Sequence, residues 1–202
     1  MRMSSKKFFS KNELLLPENM ILMYARGAFP MADETGEINW YMPDVRTIIP
    51  LDSFNIPRSL KKFYLSADYE YTFDANPIEV VTQCSKREST WISSELIEAY
   101  KGLHKLGSLD SIEVTLNQKL IGGLYGIAYR GAFFGESMFS NISQASKCAL
   151  VKLIERLREK NFTLLDVQYQ TDHLKMFGSI EVPFEEFTSL LYHSYGKEIS
   201  FN

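Results

Sequence analysis

The sequence predicts an α+β fold in which an antiparallel meander is joined by one long helix to a further, parallel strand. Three observations carry this expectation. "SIEVTL", "LIGGLYGIAYRG" and "AFFGESMF" are strand-like stretches separated only by turn-length pieces. "SQASKCALVKLIERLREKN" then repeats apolar residues at helical spacing. "FTLLDVQ" follows at once, so strand, helix and strand form a crossover that brings the second strand parallel to the meander. Helices on the faces of such a sheet define the class.

Taken in order, residues 17 to 27, "PENMILMYARG", read as a short helix. Pro17 suits its first turn, Glu18 the positive end of its dipole and Gly27 its exit. Pro30, Pro43 and Pro50 punctuate the next stretch, with "DETGE" as a hairpin-like turn and "TIIPL" as a strand reaching an edge. "PRSLKKFYL" reads as a short basic helix, and "YEYTFDANPIEVVTQC" as a strand followed by a helix that Pro77 opens.

The character changes near residue 86. "SSELIEAYKGLHKLG" puts Leu96, Ile97, Tyr100, Leu103 and Leu106 on one helical stripe, with Ser93 or Ser94 as cap and Gly107 as stop. In the long helix Leu150, Leu153, Ile154 and Leu157 form the buried face, Ser143 is placed to cap, and Lys and Arg crowd the last turn. "PFEEFTSLLYHSY" is a terminal helix opened by Pro183. The expected division is a small N-terminal domain over residues 1–85 and a larger one over 86–202.

Composition bounds the function. The chain has 202 residues, 45% apolar and 23% charged, enough for a proper core and not a disordered composition. A net charge of −3 does not advertise a nucleic-acid binder, although a local basic patch suffices to contact phosphates. Cys84 and Cys148 are the only cysteines, and with three scattered histidines they make no zinc signature. The opening "MRMSSKKFFSKNELLLPENM" lacks the apolar core of a signal peptide, and no later stretch could span a bilayer. A soluble cytoplasmic protein is the simplest expectation.

Several stretches could carry chemistry. Asp166 and Gln168 in "LLDVQ" share one face of a strand, about 7 Å apart along it, where the crossover strand ends and ligands commonly collect. A carboxylate beside a carboxamide could orient it. The amide has little basicity, so its stronger role is to orient an incoming amine or bind a developing oxyanion. A purely structural pair is the competing reading. Glu136 in "FFGESMFS" is either a solvated edge residue or an anionic hook for an amino group. Gly122, Gly123 and Gly126 suggest a bulge rather than a phosphate loop, because another strand follows them. Arg58, Lys61 and Lys62 can share one helical side, either solvated or set against an RNA backbone. Trp91, and Trp40 with Tyr41, are core residues or an aromatic wall.

Together and in this order, "YARGAFPM", "WYMPDVRTIIPLD", "TWIS", "AYKGLHKLGSLDSIEV", "LIGGLYGIA", "FFGESMFS", "ASKCALVKL", "LLDVQ" and "DHL" resemble the leucyl/phenylalanyl-tRNA–protein transferases, from about Met20 to about Gly178. The resemblance implies an acyl-CoA N-acyltransferase-like catalytic domain behind a smaller N-terminal α/β domain. It implies transfer of leucine or phenylalanine, with methionine as a further donor, from charged tRNA to an N-terminal Lys or Arg of an acceptor protein, creating an N-degron. No cofactor, metal or free nucleotide is implied, since the ester of the charged tRNA is already activated. Aminoacyl-tRNA and a protein N-terminus are the implied partners of a monomer. Asp166 and Gln168 match the family's catalytic pair, the carboxylate orienting the amide. Glu136 matches the acidic group near the aminoacyl end. Trp91, Leu124, Phe133, Leu150 and Leu165 match positions around the terminal adenosine and the apolar side-chain pocket, and Arg58, Lys61 and Lys62 the basic stretch that contacts tRNA.

The departures lie away from Asp166 and Gln168. "KNELLLPENM" stands where the family has a "GLLAVGGDL"-like segment, Met31 replaces a tryptophan, Thr171 an asparagine, and "KMFGSIEVPFEEF" lacks a basic residue. Two other readings compete: an acyl-CoA-dependent N-acyltransferase, for which "SNISQASK" offers no Gly- and Arg-rich pyrophosphate loop, and a noncatalytic module that binds tRNA or N-terminal residues.

Overall fold

Alternation along the strands builds the molecule. In Leu124/Tyr125, Phe133/Phe134 and Leu164/Leu165, successive residues enter two different apolar clusters, one on each face of a sheet. The computed structural model describes residues 11–87 and 90–202, so the leader-free reading of residues 1–10 lies outside the described part. Its elements are α1 (Lys11–Leu14), α2 (Pro17–Tyr24), β1 (Phe29–Ala32), β2 (Ile38–Tyr41), β3 (Val45–Ile48), α3 (Arg58–Ser66), β4 (Glu70–Phe73), α4 (Pro77–Cys84), α5 (Ser94–Lys105), β5 (Leu109–Leu116), β6 (Lys119–Tyr129), β7 (Ala132–Ser140), α6 (Ala145–Glu159), β8 (Leu164–Gln168), α7 (Asp172–Lys175), β9 (Ile180–Pro183) and α8 (Phe184–Ser194).

β1 and β2 form a hairpin of their own, turned where Asp33 accepts from the backbone of Thr35 and Glu37. The other seven strands form one sheet in the order β4-β5-β6-β7-β8-β3-β9. The expected meander is β5-β6-β7, and the crossover through α6 makes β8 parallel to β7. Every other pairing is antiparallel. The fold class is α+β, as the sequence predicts.

One expectation is corrected by this topology. "TIIPL" does not reach an edge: β3 lies between β8 and β9, and the unforeseen four-residue β9 takes the edge instead. β3 and β4 precede residue 85 and pair with β8 and β5, so the sheet draws strands from both sides of the expected boundary.

The helices obey their sequence signals, with local exceptions. Ser93 caps α5 by accepting from the backbone N–H of Leu96 at 3.2 Å, and Gly107 exits it at φ 71°. The buried stripe of α5 is Leu96, Ala99, Tyr100 and Leu103, while Leu106 lies past the last turn, exposed. Ser143 does not cap α6. Gln144 holds the cap position in a left-handed conformation, and the hydroxyl of Ser140 accepts from the Ser146 N–H instead.

α6 covers one face, burying Cys148, Ala149, Leu150, Val151, Leu153, Ile154 and Leu157 against Ile112, Val114 and Phe133. α2, α4, α5 and α8 contribute to the opposite cluster, around Tyr125, Ile127 and Phe134. Among the described residues no helix is long and apolar enough to cross a membrane.

Candidate active site

β7 and β8 pair only over Ala132–Phe134 and Leu164–Asp166, yet β7 continues to Ser140 and β8 to Gln168. Beyond the last pair they part. A cavity of about 90 Å³ opens there, walled by Leu124, Met138, Leu150, Leu153, Leu165, Val167 and Leu174, with Glu136, Gln168, Ser137 and Tyr125 as its polar residues. It leads into an outer cleft of about 730 Å³ that shares Glu136, Ser137, Met138, Val167 and Leu174 and adds Lys86, Arg87, Trp91, Tyr169 and His173. The outer cleft has the size of a ligand site, roughly 300–1,000 Å³, and the inner one is far smaller. The geometry suits an apolar side chain inside and a larger polar body outside.

Glu136 owes its place to a register shift. Tyr125 pairs with Ser137 and Gly126 with Gly135, leaving Glu136 as the extra residue of a bulge. The bulge therefore sits opposite the glycine strand rather than within it. Gly126 makes the close approach possible, since a Cβ there would strike the carbonyl of Phe134 and the ring of Phe133. One oxygen of Glu136 accepts from the Tyr100 hydroxyl at 2.9 Å, and the other from the Gln168 amide at 3.4 Å. Tyr24 lies behind, its hydroxyl 3.5 Å from that of Tyr100. Desolvation lifts the Glu136 carboxyl to about 8 even though the tyrosine hydrogen bonds oppose the rise. It can therefore hold or release a proton near neutral pH.

Asp166 is differently placed. It is fully buried, and its two oxygens receive Nε and Nη2 of Arg46 at 2.8 and 2.6 Å. Oδ1 also accepts the backbone N–H of Gln168 at 3.1 Å. The expected carboxylate–carboxamide contact is thus not made: Asp166 holds the backbone of Gln168, and Glu136 meets its side chain. Gln168 has φ 58°, and the Tyr169 N–H returns to the Val167 carbonyl at 2.8 Å, closing a three-residue turn. A positive φ at a non-glycine residue is strained by about 1–3 kcal/mol and persists only where its surroundings enforce it.

The remaining predicted residues divide. Leu124, Leu150 and Leu165 line the inner cavity and Trp91 the outer cleft. Phe133 does not line either one; it is wholly buried against Phe201, with ring centroids 5.4 Å apart, and fills the space beneath Gly126. Arg58, Lys61 and Lys62 lie exposed on α3, apart from both cavities, and α3 docks on α6 through a Tyr64–Glu155 hydrogen bond of 2.8 Å. Trp40 packs edge-on against Tyr24 at 5.7 Å and Tyr41 stacks on Phe29 at 6.2 Å, both as supports. Asp172 is exposed and pairs with Lys175 at 3.2 Å, whereas His173 stacks on Phe177 beside the outer cleft.

Sequence reasoning missed Arg46, Tyr24 and Tyr100 as site residues. Arg46 carried a signal, a cation inside the apolar strand "VRTII" with a lone carboxylate in the apolar strand "LLDV" to answer it. Tyr100 fell on the α5 stripe, where a hydroxyl is invisible to periodicity.

A wider cleft, about 910 Å³, lies at the other end of β8 among Ile48–Ser53, Leu164 and the ends of α6 and α8. Its rim carries Asp52, Arg158, Glu159, His193 and Lys197 without a buried polar constellation, so size does not make it the reacting centre. Among the described residues no group of three or more His, Cys, Asp or Glu is placed to hold a metal ion.

Comparison with known proteins gives matches along most of the chain. Residues 48–192 match the family model described as leucyl/phenylalanyl-tRNA protein transferase, and residues 13–44 match the model of that family's N-terminal domain. Proteins named leucyl/phenylalanyl-tRNA–protein transferase from Gluconobacter oxydans, Salinibacter ruber and Herpetosiphon aurantiacus are 44%, 45% and 47% identical to the chain over 186, 170 and 178 residues. These matches cover 89%, 84% and 88% of the chain, and 83%, 75% and 93% of the respective relatives. Among solved structures, that of FemX superimposes with a TM-score of 0.55 at 12% identity, over 71% of this chain and 60% of the other. That last likeness is one of fold alone.

Proposed function

The chain belongs to the leucyl/phenylalanyl-tRNA protein transferase family, and we propose that it transfers leucine or phenylalanine from charged tRNA to the N-terminal Lys or Arg of an acceptor protein. The observation that carries this reading is the joint placement of Glu136 and Gln168, in contact with each other, in the lining of a small, largely apolar cavity. Leu124, Leu150, Leu153 and Leu165 receive the donor side chain. The outer cleft, with Lys86, Arg87, Trp91 and Tyr169, receives the nucleotide end of the donor and the acceptor's first residue. Arg58, Lys61 and Lys62 meet the tRNA backbone farther out, where cations position an RNA without reading its sequence.

In the reaction the acceptor's α-amine attacks the ester carbonyl. A C–N bond forms, the C–O bond to the terminal ribose breaks, the amine loses a proton and the ribose hydroxyl regains one. The ester is activated from the outset, so holding amine and carbonyl in contact supplies much of the acceleration. Gln168 orients the amine and faces the charge that develops on the carbonyl oxygen. Glu136 hydrogen-bonds the donor's amino group, and its carboxyl, lifted to about 8, titrates in the range where such an amine changes charge. Asp166 serves as a positioning residue behind Gln168. The protein acts as a monomer, and its product is an N-degron.

The experiment is direct. Labelled Leu-, Phe- and Met-tRNA are mixed with the protein and peptides beginning with Arg, Lys, Asp or Glu. Label from Leu- or Phe-tRNA is expected in the Arg and Lys peptides. Label in the Asp and Glu peptides instead would reassign the acceptor, and binding of charged tRNA without labelled peptide would make the protein a binding module.

A further inference from the structure

Arg46 is among the largest fully buried side chains of the described residues, and it lines neither cavity. Its guanidinium lies between the rings of Phe29 and Phe187, 4.5 and 4.8 Å from their centroids. Two of its nitrogens are spent on Asp166, and Nη1 has no hydrogen-bond partner among the described residues. A buried ion pair of this kind is weak evidence for stability, since apolar residues of the same volume commonly serve as well. Something other than stability has to account for it.

Geometry supplies the reason. Asp166 Oδ1 receives both Arg46 Nε and the backbone N–H of Gln168, so the guanidinium and the strained turn share one oxygen. The fork of Arg46 leaves the carboxylate a single orientation. That orientation places an acceptor under the Gln168 N–H, and the left-handed turn then sends the carboxamide to Glu136 at 3.4 Å. We propose that Arg46 is a positioning residue for transfer, acting through Asp166 and the turn at Gln168, with Phe29 from the N-terminal hairpin and Phe187 from the terminal helix holding it in plane. This inference rests on the role given to Gln168 above.

The test separates positioning from folding. Arg46→Lys keeps the charge but cannot make the two-point fork. The pair replacement Arg46→Met with Asp166→Leu keeps the volume apolar and removes the oxygen that holds the Gln168 N–H. Each is compared with the full-length protein in single turnover, with excess enzyme, in wild-type and Gln168→Ala backgrounds. Melting temperature and charged-tRNA binding are read alongside. A fall in turnover of about 10- to 100-fold is expected, the scale set by a misplacement of about 1 Å, with KM for charged tRNA unchanged. In the Gln168→Ala background the same changes should cost nothing further. Undiminished turnover in a folded variant of either kind, or an equal loss in both backgrounds, would overturn the proposal. Full turnover by Gln168→Ala alone would instead remove the role of Gln168 on which the proposal rests.

Discussion

Tyr100 donates its hydroxyl to one oxygen of Glu136 at 2.9 Å while the amide of Gln168 reaches the other at 3.4 Å. The carboxyl is thereby fixed between a residue of α5 and the end of β8, on a bulge that has no regular partner in the sheet. Its two neighbours are neutral and their hydrogen bonds offset only part of the desolvation of a charge, so the pKa stays raised.

That relationship makes stability depend on pH in a stated direction. With a folded pKa of about 8 against an ordinary value near 4.5, Glu136 binds more proton in the folded than in the unfolded state between those limits. Its contribution is therefore fully present below pH 4.5 and is lost as pH rises towards 8, with a slope of at most about 1.4 kcal/mol per pH unit. Glu136→Gln, which cannot ionise, should flatten this decline. Melting curves of the two proteins from pH 5 to 9 check it: the melting temperature of the variant should gain on the wild type as pH rises, and parallel curves would contradict the assignment.

Gln168 and Asp166 should separate under substitution. Gln168→Ala removes a side chain that lines the cavity and should lower transfer by on the order of 10²-fold, the loss of one oriented donor, with a melting temperature close to wild type. Asp166→Ala strands Arg46 as a buried, unpaired cation, which costs about 3–5 kcal/mol. Its first symptom should be a fall in melting temperature, with lost turnover as a consequence. Equal melting temperatures for the two variants would show that the Arg46 pair is not buried as described.

How far the site is legible in the sequence follows from range. The meander, α6 and β8 are written in local periodicity, and so are Pro17, Gly107 and Pro183 at helix ends. The pair Arg46–Asp166 is not, because its members stand 120 positions apart. β3 looks like an edge strand until β9 arrives from the far end of the chain to cover it. The glycines of β6 announce a bulge, but which strand carries the extra residue depends on registry between two strands, and it is β7. Phe133 shows the converse limit. Alternation puts it on the α6 face correctly and cannot say whether that face is open there.

The inner cavity should set donor choice. Leu150 lines it, is almost fully buried and also packs in the α6 core. Leu150→Ala should enlarge the cavity and cost about 2–5 kcal/mol of stability. Preference should move from leucine towards phenylalanine, since each methylene of fit is worth only about 1–3 kcal/mol. Competition between Leu- and Phe-tRNA for one peptide measures the shift. An unchanged ratio would place the donor side chain elsewhere.

The basic face of α3 should act through charge alone. Arg58, Lys61 and Lys62 are exposed, they line neither cavity, and α3 is anchored to α6 by Tyr64 and Glu155 rather than by the cations themselves. Replacing all three by Gln should leave the fold intact, because exposed positions contribute little to stability. What should change is the salt dependence of tRNA binding. Each lost phosphate contact lowers the slope of log K against log salt by about 0.7–0.9, so three contacts would remove about 2 to 3 from it. Turnover at saturating charged tRNA should stay within a factor of a few, since none of the three side chains lines a cavity with Gln168 or Glu136. Filter binding of charged tRNA from 50 to 300 mM salt, with single-turnover rates at saturation, gives both quantities. A wild-type salt slope in the triple variant would show that the RNA crosses a different face, and a large loss of saturated turnover would bring α3 into the chemistry itself.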